Sequence, residues 1–416
     1  MMFFEFLIGL TDVYVAGRIG KEVQASYGFV VQVYFVLIVI ANALTVGTVT
    51  VVSRLFTSGD QEALSEGIFS ALVGAAIGGA ILSVTGIIFT PAIIKMVNIP
   101  AELKPLIPPF VTIYALGLFF HYLLINCNGI LRSCGRVKTS LGTMTLVCIM
   151  NVGLNLFLVF NTSMGFRGIA TATASSIFIG GLLNLRIVWR LMTPARRFTW
   201  VTVKKIVDIG WPIGLLQALW QLGSMVLFLI LSALPEHRVE ILAALTTGLR
   251  IESAIFLPAM AFNMANAVII GNLLGKEKQE EAFRSGMVTA AIGVVIVATM
   301  AVVVVLNARW IVSFLSHNEV VIEESVKYLY INMISEPVMA WGIILSGGLN
   351  GAGDTRGVLR NVALSLWLVR IPLCYLFVVV LGFGPVSVWW CMNLSQFVMA
   401  SLMTKRYLRK RWLSTN

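Results

Sequence analysis

Charge is scarce in this sequence: 12% of its residues are Asp, Glu, Lys or Arg, and only 19 of 416 are acidic. With 58% hydrophobic residues and a mean hydropathy of +0.91, too little polar surface remains to coat a water-soluble globule of this length. Lipid must cover the outer face. The short alternating segments of a closed barrel are missing. Apolar runs approaching or exceeding the ~20 residues that a helix needs to cross hydrocarbon recur instead, for example over 27–52, 71–90, 143–160, 286–306 and 365–381.

Catalytic signatures are also missing. There is no H-E-x-x-H, no P-loop and no G-x-S-x-G, and the three histidines, His121, His237 and His317, are scattered. An enzyme is therefore not expected, and neither is an organic cofactor. Without ATPase machinery, uphill movement of a solute would have to draw on an ion gradient. The five cysteines, Cys127, Cys134, Cys148, Cys374 and Cys391, are odd in number and sit in or beside apolar runs, which excludes a disulfide framework. Residues 1–15 have neither a basic leader nor a small-residue cleavage site, so they read as part of a span.

What is present is a series of spans separated by breaks. Twelve are expected, at 1–17, 26–56, 64–90, 106–131, 139–161, 167–191, 206–234, 240–274, 282–306, 324–350, 358–381 and 386–408. Pro91, Pro100 and Pro105 make 91–105 an exposed connection in this reading. Of the 30 Lys and Arg residues, 20 fall on one set of alternate connections and the tail, and 8 on the other. By the excess of basic residues on cytoplasmic loops, both termini are cytoplasmic in a multi-pass protein of the cell membrane. The net charge of +11 is mostly this bias, and no nucleic-acid partner is expected.

An internal repeat organises the chain. The segment Val51-Val-Ser-Arg-Leu-Phe-Thr-Ser-Gly-Asp-Gln-Glu62 aligns with Ile269-Ile-Gly-Asn-Leu-Leu-Gly-Lys-Glu-Lys-Gln-Glu280, an offset of 218. Leu131-Arg-Ser-Cys-Gly135 aligns with Leu349-Asn-Gly-Ala-Gly353 at the same offset. Six spans per repeat leave the two halves in one orientation, related by an axis along the membrane normal with a cleft between two lobes. The lobes are expected at 1–200 and 201–416, tied by the basic segment 192–205. The same offset makes the first helix about two turns shorter than its counterpart, the seventh.

Ionisable residues inside the spans are few: Glu5, Asp12, Arg250, Glu252, Glu336 and Arg370. A charge at membrane depth is costly and usually faces a bundle interior or an aqueous cavity. Asp12 is the strongest candidate. It lies near the outer end of the first helix with no basic residue three or four positions away. A carboxylate left without a counter-charge in low dielectric can take up a proton or a cation. Glu5, seven residues earlier, lies on nearly the same helix face. Asn151 and Asn155, spaced i,i+4 on the fifth helix, and Thr173 on the sixth could coordinate a cation or position the carboxylate. Plain interhelical hydrogen bonding is the alternative for all three. Arg250 and Glu252, two apart, point away from each other, and Glu336 is a candidate ion-pair partner for Arg250 or a member of a site in the second lobe. Pro337, directly after it, permits a kink.

The sequence resembles the multidrug and toxic compound extrusion (MATE) transporters, in the broad group that includes the DinF-like proteins. The resemblance rests on Asp12-Val-Tyr-Val-Ala-Gly-Arg-Ile-Gly20, Gly129-Ile-Leu-Arg-Ser-Cys-Gly135, Asn151-x-x-x-Asn155, Arg250-Ile-Glu-Ser253 with Pro258-Ala-Met, and Gly347-Gly-Leu-Asn-Gly-Ala-Gly-Asp-Thr355. It implies an all-α integral membrane protein of twelve helices in two pseudo-symmetric six-helix lobes around a V-shaped cavity. The implied activity is export of lipophilic, usually cationic small molecules against entry of H+ or Na+. The expected partners are such cationic solutes and membrane lipids, with the chain taken as a monomer. In the resemblance Asp12 is the coupling residue, as a proton site or with Na+ bound there, and Asn151, Asn155 and Thr173 are its neighbours. Many relatives carry aspartate where Asn155 stands, so Asp12 is left as the main carboxylate of the first lobe. Where some relatives use a glutamate of the seventh helix, this chain reads Gln217-Ala-Leu-Trp-Gln221, so a second-lobe site would have to use Glu252 or Glu336. A related flippase for lipid-linked precursors would share the architecture, but would need cationic residues lining its cavity.

Overall fold

The computed structural model describes residues 2–96, 105–194, 196–232, 234, 238–315 and 319–414. All regular structure among them is helical. Unit one, up to Trp211, holds α1 (Met2–Ile19), α2 (Lys21–Ser58), α3 (Gln61–Met96), α4 (Ile107–Ser133), α5 (Val137–Phe160), α6 (Arg167–Trp189) and the start of α7 (Trp200–Ser232). Unit two, from Pro212, holds the rest of α7, then α8 (Arg238–Gly275), α9 (Gln279–Leu306), α10 (Ala308–Leu315), α11 (Glu319–Asn332), α12 (Glu336–Gly351), α13 (Thr355–Ala363), α14 (Ile371–Tyr375) and α15 (Pro385–Leu408). The division falls inside α7 at Pro212.

Among the described residues nine of these helices, together with the continuous stretch Thr355–Val380 that runs through α13 and α14, are each long and apolar enough to cross a membrane, and the bent pair α11–α12 makes an eleventh span. With α1 they form the twelve-helix arrangement. How a helix manages two solvents is plain on α9. Its buried positions are Ala282, Gly286, Ala290, Gly293, Val297 and Ala301, a stripe of mostly small residues three or four apart that lets α8 and α12 approach closely. Its other face is large and apolar, with Val295 65% and Leu306 77% exposed. Such a face is a liability in water and ordinary in lipid.

The repeat is visible in the hydrogen bonds. α3 and α9 begin at 61 and 279, and α5 and α13 at 137 and 355, both at the offset of 218. Where α4 ends, Gly135 turns left-handed at φ 72° and the Arg136 amide donates to the Leu131 carbonyl at 2.8 Å. Where α12 ends, Gly353 has φ 86° and the Asp354 amide donates to the Leu349 carbonyl, again at 2.8 Å. This is the six-to-one helix stop that favours glycine, because a side chain there would meet its own backbone. After α6 the chain is held along α3: the Thr193 amide donates to Ser65 Oγ at 2.7 Å and the Thr199 amide to Ser70 Oγ at 3.0 Å.

The structure departs from the sequence reading in four places. α3 continues through Pro91 to Met96, so the exposed connection begins later than 91; a proline near the end of a membrane helix forfeits a single backbone bond. Pro100 lies outside the described residues. α10, a short helix between the ninth and tenth spans, was not expected. The tenth span is not one kinked helix but two, α11 and α12, bent by 56° at a break over 333–335, just ahead of Pro337. The eleventh span contains two π-helical stretches, Leu364–Arg370 and Leu376–Val380, either side of α14. Such wide turns recur at functional sites, and the first one ends on Arg370.

Candidate functional site

Asp12 is buried in unit one, with 1% of its surface exposed. It sits where α1 packs against α2, α5 and α6. Asn155 Nδ2 of α5 donates to Asp12 Oδ1 at 2.6 Å, and Thr173 Oγ1 of α6 donates to Oδ2 at 2.8 Å. The Tyr27 hydroxyl of α2 donates to Oδ2 at 3.3 Å, and that of Tyr114 of α4 reaches it at 3.5 Å. Asn151 does not bond the carboxylate directly. Its Nδ2 donates to Thr173 Oγ1 at 2.9 Å, and its Oδ1 accepts from Asn155 at 3.3 Å, so it fixes the two groups that do. Five helices thus converge on one carboxyl group.

The three polar neighbours expected from sequence are therefore all brought together with Asp12. Tyr27 and Tyr114 were missed, because an aromatic residue inside an apolar run reads as packing. Tyr114 also leads outward: its ring lies 5.0 Å from that of Tyr34, whose hydroxyl is 2.8 Å from His121 Nδ1. Glu5 does not join the cluster; it lies on an exposed face of α1, within electrostatic reach of Arg132.

The character of the ring around Asp12 is informative. Every group that touches the carboxylate donates to it, and no cation does. Hydrogen bonds to a charged acceptor contribute about 1.5–3 kcal/mol each, which offsets the several kcal/mol that burial of an unpaired ion costs. Three of the four donors are hydroxyls, which can reverse and accept if a proton arrives on the carboxyl group. Sodium would need oxygens. Asp12 supplies two, Thr173 and Asn151 one each, and Asn155 Oδ1 is buried without a hydrogen-bond partner. The residues can supply an oxygen set for sodium only if the Asn155 amide turns over. No cluster of three or more His, Cys, Asp or Glu suited to a metal occurs among the described residues.

Unit two holds a second buried group of ionisable residues. Glu336, at the start of α12 beside the helix break, is fully buried, and neither carboxylate oxygen has a hydrogen-bond partner. Glu252 of α8 is close enough to interact with it electrostatically, and its Oε1 is likewise unpartnered. Arg370 is the cation within reach of Glu252; its Nε donates to Ser395 Oγ at 2.7 Å and its guanidinium lies 5.3 Å from the centre of the Trp220 ring. The expected pairing of Glu336 with Arg250 is corrected here. Arg250 is exposed and forms no ion pair with Glu336, while Glu252 is the neighbour Glu336 meets. Tyr328, 0% exposed and stacked edge-on against Trp389 at 4.7 Å, completes the group.

Comparison with known proteins gives a consistent picture. The family model MatE matches residues 1–157 and 212–376. A protein named "Probable multidrug resistance protein NorM" from Thermotoga maritima is 21% identical over 98% of this chain and 89% of its own length. A protein named "FAD transporter" from Shewanella oneidensis is 24% identical over 88% of this chain and 83% of its own. Among solved structures, the outward-facing conformation of a multidrug resistance MATE family transporter of the MOP superfamily superposes with a TM-score of 0.90 at 19% identity, covering 100% of this chain and 94% of that one. At that identity the likeness speaks for the fold.

Proposed function

The chain belongs to the MatE family, and from that membership we propose that it is a secondary transporter of the cell membrane that expels lipophilic organic cations in exchange for protons taken up at Asp12. The observation that carries the coupling residue is the ring of four donors on one buried carboxylate. When Asp12 is charged, all four point at it. When it is protonated, the carboxyl needs an acceptor, and the hydroxyls of Tyr27, Tyr114 or Thr173 must turn. A proton therefore changes the bonding of at least one of α2, α4 and α6 to α1, which is what coupling an ion to helix movement requires. Neutral donors also favour this reading over a lipid-precursor flippase, whose anionic cargo would call for cations around the site.

In this proposal both termini face the cytoplasm, as the basic residues of the connections indicate. Glu252 and Glu336, with Arg370 beside them, form a second site for a proton or cation in unit two. The bend ahead of Pro337 places Glu336 in the first turn of α12, where backbone amides are free to face a negative group.

The test uses vesicles containing the protein or its Asp12→Asn variant, loaded with a fluorescent cationic dye, under imposed proton or sodium gradients. Proton-driven efflux that Asp12→Asn abolishes is the expected result. Efflux driven by sodium alone would move the assignment to a sodium site at the same carboxylate, and no dye movement under either gradient would overturn the cation-exporter reading. FAD is the informative competitor, given the Shewanella relative's name.

A further inference from the structure

The far end of unit two carries two hollows that the transport site does not use. One, of about 460 Å3, lies between α13 and the end of α15 and is lined by Arg360, Lys405, Arg406, Arg409 and Arg411, with Trp412 behind. Its single acid, Asp354, is already held by Nε and Nη2 of Arg406, which donate to its two oxygens at 2.5 and 2.6 Å. The nearest acid on α9, Glu280, is taken by Arg284 and Lys410. Arg360, Lys405 and Arg409 make no ion pair among the described residues, so the described lining carries a net positive charge.

Its wall is built, not draped. Lys410 takes a left-handed backbone at φ 56°, which folds the chain back, and its ammonium bonds Glu280 at 2.8 Å and lies 4.3 Å from the centre of the Phe283 ring. Trp412 then tucks under α15, with Nε1 donating to the Tyr407 carbonyl at 2.8 Å. The second hollow, of about 650 Å3, runs along α12 and α15 past Val338, Trp341, Ala400 and Leu408, and it shares Lys405 and Arg409 with the first. Two of the polar groups along it are satisfied internally: Trp341 Nε1 donates to Thr404 Oγ1 at 2.8 Å, and that hydroxyl donates to the Ala400 carbonyl at 2.7 Å. A basic head joined to a largely apolar groove has the chemistry of a lipid with an anionic headgroup.

We propose that this end of unit two binds an anionic glycerophospholipid, with its phosphate between Lys405, Arg409 and Arg360 and an acyl chain in the groove beside Trp341 and Ala400. Basic pockets between membrane helices are recognised by such headgroups, and the groove explains why a free anion would not suffice. The site depends on the chain spanning a membrane and not on which solute it moves.

The experiment follows the melting midpoint of the detergent-solubilised full chain during titration with phosphatidylglycerol, with phosphatidylcholine of the same acyl chains, and with inorganic phosphate. Phosphatidylglycerol alone should stabilise strongly. K405A/R409A should weaken its apparent affinity on the order of 30-fold, the loss for two charges at about 1 kcal/mol each when 1.4 kcal/mol is a factor of ten. Equal stabilisation by both lipids would overturn the headgroup site, and inorganic phosphate acting as well as phosphatidylglycerol would reduce it to an anion site without a lipid. An unchanged affinity in the double variant would also overturn it. If that variant does not fold, the comparison of headgroups on the unaltered chain decides alone.

Discussion

The two units share a scaffold and differ in what they bury. At the offset of 218, Asp12 corresponds to Ile230, Asn155 to Leu373 and Thr173 to Cys391, whereas Glu252 corresponds to Tyr34, Glu336 to Leu118 and Arg370 to Val152. Helix starts and helix stops are repeated, but no buried charge is. Unit one has a single carboxylate fully supplied with donors; unit two has two carboxylates with unpartnered oxygens, beside a helix that is broken where its counterpart α4 runs unbroken from Ile107 to Ser133. The backbone plan tolerates polar sites at different depths and on different helices, so one half's chemistry cannot be read from the other's.

Substitutions can break or sharpen this contrast. The largest effect is expected in unit one: Asn155→Leu removes a charge-assisted bond and should cost about 2 kcal/mol of stability by thermal unfolding in detergent. In an Asp12→Asn background most of that cost should vanish; if it persists, Asn155 supports packing and not the carboxylate. Next, Gly135→Ala and Gly353→Ala force a side chain into left-handed backbone and should each cost about 1 kcal/mol, by similar amounts in the two units. A large inequality would show that the two helix stops are alike in shape only. Smallest is Glu336→Gln. Because it replaces a buried ionisable group by a neutral one of the same shape and breaks no hydrogen bond, it should leave the melting midpoint unchanged or raise it by up to about 1 kcal/mol equivalent. A clear loss would mean that Glu336 has a partner holding it as a charge.

The spans were legible because lipid imposes a run length that any single helix must meet, and the repeat was legible because two loops kept their residues. Asp12 stood out for the same reason charges are rare in hydrocarbon; helical spacing put Asn151 and Asn155 on one face of α5, and the family resemblance set them beside Asp12. What could not be read was contact across helices. Periodicity places Arg250 and Glu252 on different faces of α8 but does not say which of them meets Glu336, and it gives Tyr27 and Tyr114 no mark that separates them from packing aromatics. Nor does a proline reveal where a break falls: Pro337 was visible, yet the backbone parts at 333–335, two to four residues earlier.

Each unit is also continuous in sequence, which matters to how the molecule is made. Residues up to Trp211 form one compact body and those from Pro212 onward the other. At synthesis rates of about 5–20 residues per second, the second half trails the first by roughly ten to forty seconds. During that interval the early half has all of its own sequence in hand while its counterpart is still being made.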